Sequence, residues 1–213
     1  MPTLDTFRPI TLSRRLFIAG STLALLGAGL RATQANTIIG KAVEITGDVS
    51  RKHAEHQEGL KAGASLMDHD FVKTGKESFA ELALGEDTSL MLGSETELLI
   101  DTFIAGQGGI IELGTGQMVF DRPEGLAKID LTMRTAFGMI GVRGTKFFAG
   151  PSRKAPFAVF VEHGRVEVTG GGVTRSVSGG EGVEISAPGA APGDVIQWGE
   201  ARIREAYASV GIR

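Results

Sequence analysis

Arg143 stands between glycines in "GMIGVRGTKF" (residues 138–147), with Met139, Ile140 and Val142 before it and Phe147 and Phe148 after it. Its guanidinium carries five donors in a rigid, planar fork. Gly141 and Gly144 permit backbone conformations closed to other residues, so the chain can turn sharply here. In such a turn the fork can satisfy carbonyls that lack a ladder partner. That is the expectation: Arg143 tied by hydrogen bonds to backbone carbonyls of the Gly141–Thr145 turn. The alternative is a charge that faces a ligand.

Other residues that could do chemistry are sparse. His53 and His56 are three apart in "RKHAEHQEG", and His69 lies between Asp68 and Asp70. Two histidines and a carboxylate can hold a divalent metal, but the segment is polar and reads as a solvated loop, so no metal site is assigned. His163, beside Gly164, is expected to be exposed. Glu44, Glu112, Glu162, Glu167 and Glu184 fall on or near the wet phase of alternating segments, which suits a solvated strand face better than a catalytic carboxylate cluster. The chain has no cysteine, and with it no thiolate chemistry and no disulfide. It has no G-x-S-x-G, and "GGG" at 170–172 lacks the Lys-Ser/Thr of a phosphate loop. No catalytic residue and no cofactor are expected.

The first 35 of 213 residues look like an address. Ser13, Arg14, Arg15, Phe17 and Ile18 fit the S-R-R-x-F-[apolar] pattern of a twin-arginine export signal, with Ala19 where lysine is common. A moderately apolar run from Leu16 to Leu30 follows, broken by Gly20, Gly27 and Gly29. Thr33 and Ala35 are placed for cleavage after Ala35. A receptor reads such a signal, and export would leave the protein in the periplasm or beyond. The segment holds four of the 22 basic side chains and one of the 25 acidic ones. The remainder carries 18 basic and 24 acidic groups, a net charge of −6, which disfavours nucleic acid or anionic lipid as a partner. Apart from the signal, no apolar run is long enough to span a bilayer.

These residues must be positioned by strands. In "FAELALGEDTSLMLGSETELLID" (79–101), Leu82, Leu90 and Leu98 are eight apart, and so are Leu84, Leu92 and Ile100, and Ala80, Thr88 and Thr96. Strands of about five residues closed by turns of about three explain that period. Either an antiparallel meander or successive rungs of a small β-coil would produce it, and stacked units must share one core. Similar alternation recurs at 43–49, 110–120, 159–168 and 173–185. The fold expected is all-β, a repeat-like β-coil or a sandwich of short strands. After it, "SAPGAAPGD" reads as a linker over 187–193. A helix over 194–211 follows, with Asp194 as N-cap and Ile196, Ile203, Tyr207 and Val210 on one stripe. It is expected to cover an open end or edge of the β body.

Three segments resemble the FecR domain. "FVKTGKESFAELALGEDTSLMLGSETELLI" (71–100), with Thr74 and Gly75, is similar to its first half. "TAFGMIGVRGTKFF" (135–148) resembles its T-P-x-A-x-x-x-V-R-G-T-x-F signature through Gly141, Val142, Arg143, Gly144, Thr145 and Phe147, with Ala136 in place of proline. "FVEHGRVEV" (160–168) resembles its closing strands. The resemblance spans about residues 40–186 and implies a non-catalytic, all-β, coil-like domain working in the periplasm. Its best-known members relay a signal from an outer-membrane transporter to a cytoplasmic anti-sigma segment. A cleavable-looking signal stands here in place of their cytoplasmic helical domain and membrane anchor.

The organisation expected is therefore a signal at 1–35, a FecR-like β domain at 36–186, a linker and a C-terminal helix. The function expected is a periplasmic binding or scaffold module for envelope sensing or signalling, with a protein or an envelope polysaccharide as partner. The competing function is a carboxylate-dependent hydrolase of wall polysaccharide, which needs two carboxylates converging across a groove.

Overall fold

A computed structural model describes residues 37–212. The expected export signal, its twin arginines and the cleavage after Ala35 lie outside the described residues. The strands are β1 (Ile38–Thr46), β2 (Val49–His53), β3 (His56–Gly59), β4 (Ser65–Met67), β5 (Asp70–Thr74), β6 (Phe79–Leu84), β7 (Thr88–Leu92), β8 (Glu97–Ile104) and β9 (Gly108–Thr115). They continue as β10 (Met118–Asp121), β11 (Asp130–Thr135), β12 (Gly138–Val142), β13 (Lys146–Ser152), β14 (Ala155–His163), β15 (Arg165–Gly170), β16 (Val173–Ser178), β17 (Glu181–Ile185) and β18 (Ile196–Gln197). One helix, α1 (Glu200–Ala208), follows.

The strands form two nine-stranded sheets. Sheet I runs β18-β17-β14-β13-β10-β7-β6-β1-β4, and sheet II runs β16-β15-β12-β11-β9-β8-β5-β2-β3. The chain passes back and forth between them, one strand or one hairpin at a time, and advances along both together. Described pairings are antiparallel except β9 with β11. This arrangement fits a sandwich. The coil expected as the other way to stack short strands is not confirmed by the pairing, in which hairpins lie within each sheet.

The eightfold period now has a physical origin. Each unit is one strand and one turn, and inward positions recur at every second residue. Leu82 and Leu90 are register partners in sheet I. After the turn at Gly93–Glu95 the chain crosses to sheet II, where Leu98 pairs with Val72 and Leu113. All three leucines are fully buried, but Leu98 enters the core from the facing sheet and does not continue a ladder with the other two.

Buried threonines tie the crossovers. Thr74 Oγ1 donates to Gly93 O (2.6 Å) and accepts from Thr96 N–H (2.8 Å). Thr96 Oγ1 in turn accepts from Gln117 N–H at 3.1 Å. Gly75 O accepts from Glu95 N–H at 3.0 Å. The Thr74-Gly75 pair therefore closes the turn between the sheets, where ladder bonds end and the backbone still needs partners.

Sheet I is buried on both faces at its centre. Phe120, Phe147, Val159 and Val161 point into the main core. Val119, Phe148, Ala158 and Phe160 point the other way, into a second cluster with Trp198, Ala206, Tyr207 and Val210. Burial on two faces explains why "MVF" and "FF" are continuous apolar runs.

Two C-terminal expectations are corrected. The helix occupies Glu200–Ala208 and not 194–211, and its N-cap is Gly199, without a side-chain cap bond. Asp194 is almost fully exposed, and Ile196–Gln197 pair with Gly182 and Glu181 at the sheet edge. Edge pairing holds that segment extended and overrides its helical pattern. The helix also covers the outer face of sheet I, not an end or edge. The linker at 187–193 is the part that closes an end. Pro192 is buried, Gly193 N–H donates to Glu184 O (2.9 Å), and Ala190 and Val195 pack on the main core.

Candidate functional site

The V-R-G-T-x-F stretch is a crossover from sheet II to sheet I. Val142 ends β12, buried between its register partners Leu131 and Val166. Gly144 takes φ +69°, a left-handed conformation that favours glycine. Thr145 is fully buried and Phe147 enters the main core. Gly141 faces Glu167 across the ladder.

Arg143 does not play the role expected of it. Its side chain is exposed and makes no hydrogen bond or ion pair. The crossover is held by burial of Val142, Thr145 and Phe147, so the charge is free to face solvent. The arginine that ties a turn is Arg122. It is 3% exposed. Its Nη2 and Nε donate to Ala127 O at 3.1 and 3.4 Å, and Nη1 donates to Thr88 Oγ1 at 3.2 Å. Its backbone N–H donates to Thr145 O at 3.1 Å. Sequence reasoning missed it, although the signal was there: Met118, Phe120 and Arg122 continue one inward phase of period two.

The histidines do not converge. His53 and His56 are register partners in the β2–β3 hairpin, so the segment is strand and not loop. His53 Nδ1 lies 2.8 Å from Asp70 Oδ1. Asp70 is fully buried, accepts from Met67 N–H at 2.9 Å and has Arg51 Nη1 at 3.5 Å, which offsets the cost of burying its charge. His56 is mostly exposed, and His69 pairs with Asp101 at 3.4 Å. Among the described residues no group of histidines and carboxylates could hold a metal ion. His163 is less exposed than expected: its Nδ1 is buried without a hydrogen bond, 3.7 Å from Glu124 Oε1.

The glutamates are equally dispersed. Glu112 pairs with Arg134 on sheet II, Glu184 with Arg202 beneath α1, and Glu162 with Lys146 on sheet I. A concavity of about 950 Å³ lies between α1 and the β13–β14 turn. Arg202 stacks there on Trp198, 3.7 Å from its ring centroid, and Arg153 pairs with Glu205 at 2.5 Å. Its arginines are thus committed to neighbours within the fold.

Lys146 also lies 3.4 Å from Asp121, and Tyr207 donates its hydroxyl to Glu162. Burial pushes the Tyr207 hydroxyl well above its ordinary value, and the hydrogen bond to Glu162 and the charges of Glu162 and Asp121 add to the rise. Tyr207 is the one tyrosine of the sequence, so its ionisation can be followed alone. In the folded protein tyrosinate absorbance should not develop through pH 10–11, whereas the unfolded chain titrates near pH 10. The native state then holds the proton longer than the unfolded state. Tyr207 stabilises fully below about pH 10, and its contribution falls as pH rises above that value. A native-state titration centred at pH 10 would contradict the arrangement.

Comparison with known proteins now bears on this geometry. The family model described as FecR protein matches residues 70–185. The chain belongs to the FecR family. The match contains Thr74, Gly75 and the whole Gly141–Phe147 stretch, so the turn that carries Arg143 is part of the FecR domain. No curated protein matches the chain. Two crystal structures of a candidate anti-sigma factor from Parabacteroides distasonis ATCC 8503 are similar in fold. Each is 17% identical with a TM-score of 0.51, over 63% of this chain and 62% of that one. The chain thus spans less than two thirds of that protein's length. The likeness shows the fold, and the FecR domain supports a signalling or sensing module. No helix among the described residues is long and apolar enough to cross a membrane.

Proposed function

We propose that this FecR protein is a non-catalytic sensing module that works by binding a protein partner in the periplasm, after export by the twin-arginine route. The carrying observation is the FecR match over residues 70–185. Dispersed glutamates, with Glu112, Glu162 and Glu184 each paired to a cation, support a role in binding rather than hydrolysis. Arg14-Arg15 and Ala35 support export.

One experiment tests both halves. The gene is deleted in its source organism, transcripts are profiled, and the deletion is complemented with the wild-type chain or with Arg14→Lys/Arg15→Lys. Deletion should change a confined set of transcripts. Wild-type protein should restore them from the periplasmic fraction, and the lysine variant should stay in the cytoplasm and restore nothing. An unchanged profile sinks the sensing role, and restoration by a cytoplasmic variant sinks the compartment.

A further inference from the structure

Arg143 and Arg165 are neighbours across two strands. Val142 and Val166 are register partners in the β12–β15 ladder, Arg143 follows the first and Arg165 precedes the second. The two segments stay together beyond the ladder: a Cβ built on Gly164 would lie 2.6 Å from Gly144 O. Both valines are buried, and both arginines are exposed. Like charges placed opposite each other on adjacent strands are destabilising.

Neither guanidinium has a partner. Every other arginine among the described residues has a carboxylate within 4.0 Å. Two acids flank the pair. Asp130 precedes Leu131, the other register partner of Val142, and Glu167 is opposite Gly141. Neither forms an ion pair with Arg143 or Arg165. Beneath them Thr145 is fully buried with no hydrogen bond from Oγ1. The backbone under the pair is fixed by burial of Val142, Thr145 and Val166, so two exposed arginines leave adjacent backbone positions on a rigid base.

We propose that the Arg143–Arg165 pair is a docking point for carboxylate side chains on an acidic segment of a protein partner. This rests on the sensing role proposed above and names the chemistry of the partner. Guanidinium forks match carboxylates bidentately. A bound carboxylate also relieves the repulsion between the two arginines, so docking removes an unfavourable contact as well as adding a favourable one.

The full chain is titrated with blocked hexaglutamate, with blocked hexaglutamine and with inorganic phosphate. Hexaglutamate should bind and hexaglutamine should not. Arg143→Ala/Arg165→Ala should weaken binding about tenfold while melting like wild type. The double lysine variant keeps the charge and should retain more binding than the alanine pair. Raising ionic strength from about 0.01 M to about 0.15 M shortens the screening length from about 30 to about 8 Å and should weaken binding further. Equal affinity of the alanine variant, binding of hexaglutamine as tight as hexaglutamate, or tighter binding of phosphate at the pair overturns the proposal. Peptide binding that persists while gene deletion leaves transcripts unchanged counts against the sensing role and not against the docking point.

Discussion

Phe147→Ala lowers stability by about 3–5 kcal/mol, read as a shift of the denaturation midpoint at unchanged slope. Phe147 is fully buried and stacks on its register partner Phe120 at 5.4 Å between ring centroids. On the other strand its partner is Val161. Truncation opens a cavity in the middle of the main core, where both sheets hold the walls apart and collapse is limited. Phe148→Ala is the control. Phe148 is just as buried but points into the smaller cluster under Trp198 and α1. That wall is one nine-residue helix without a side-chain cap, which can settle inward, so the loss should be smaller. Equal losses at the two positions would mean that α1 is held as firmly as sheet II.

Arg122→Ala should cost about 2–5 kcal/mol, and Arg143→Ala less than about 0.5 kcal/mol, in the same denaturation measurement. Removing Arg122 leaves the buried Thr88 Oγ1 without its donor, at about 1–3 kcal/mol for that group. It also removes the packing of a buried stem and releases Ala127 O on the exposed 123–128 turn. Asp87, at 4.0 Å and half exposed, can turn to water and adds little. Arg122→Lys keeps the charge but cannot reach both acceptors with one planar fork, so it should recover only part of the loss. Arg143 has no contact to lose. A large loss at Arg143 with none at Arg122 would reverse the roles assigned to the two arginines.

The candidate site was legible in part. Gly141 and Gly144 mark a turn, and the turn exists, but the hydrogen bonds expected from Arg143 to its carbonyls do not form. Val142 and Phe147 are inward and Arg143 lies between phases, so these neighbours leave it outside. Arg122 was overlooked because "DRPEG" reads as a polar turn unless the inward phase of Met118 and Phe120 is carried one step further. Arg165, which lies beside Arg143 just past the end of the β12–β15 ladder, is 22 positions away, and no local pattern joins them.

The sequence by itself determined the alternating strands and turns of residues 79–101, the all-β class and the resemblance to the FecR domain. Those follow from period-two alternation, from glycine at turns and from the spacing of Thr74-Gly75 and the Val142–Phe147 motif. Only the tertiary structure decided which strands share a sheet. A period of eight is satisfied equally by a meander, a coil or a two-sheet weave, since each buries the same alternate residues. The same holds for the C-terminus. Ile196 has the right spacing for a helix, yet Gly182 at the edge of sheet I takes it as a strand partner, and Trp198, Tyr207 and Val210 bury against a sheet face distant in sequence. Which arginine is buried, and which two stand unpaired side by side, depends on contacts between residues far apart along the chain, and local pattern carries no information about those.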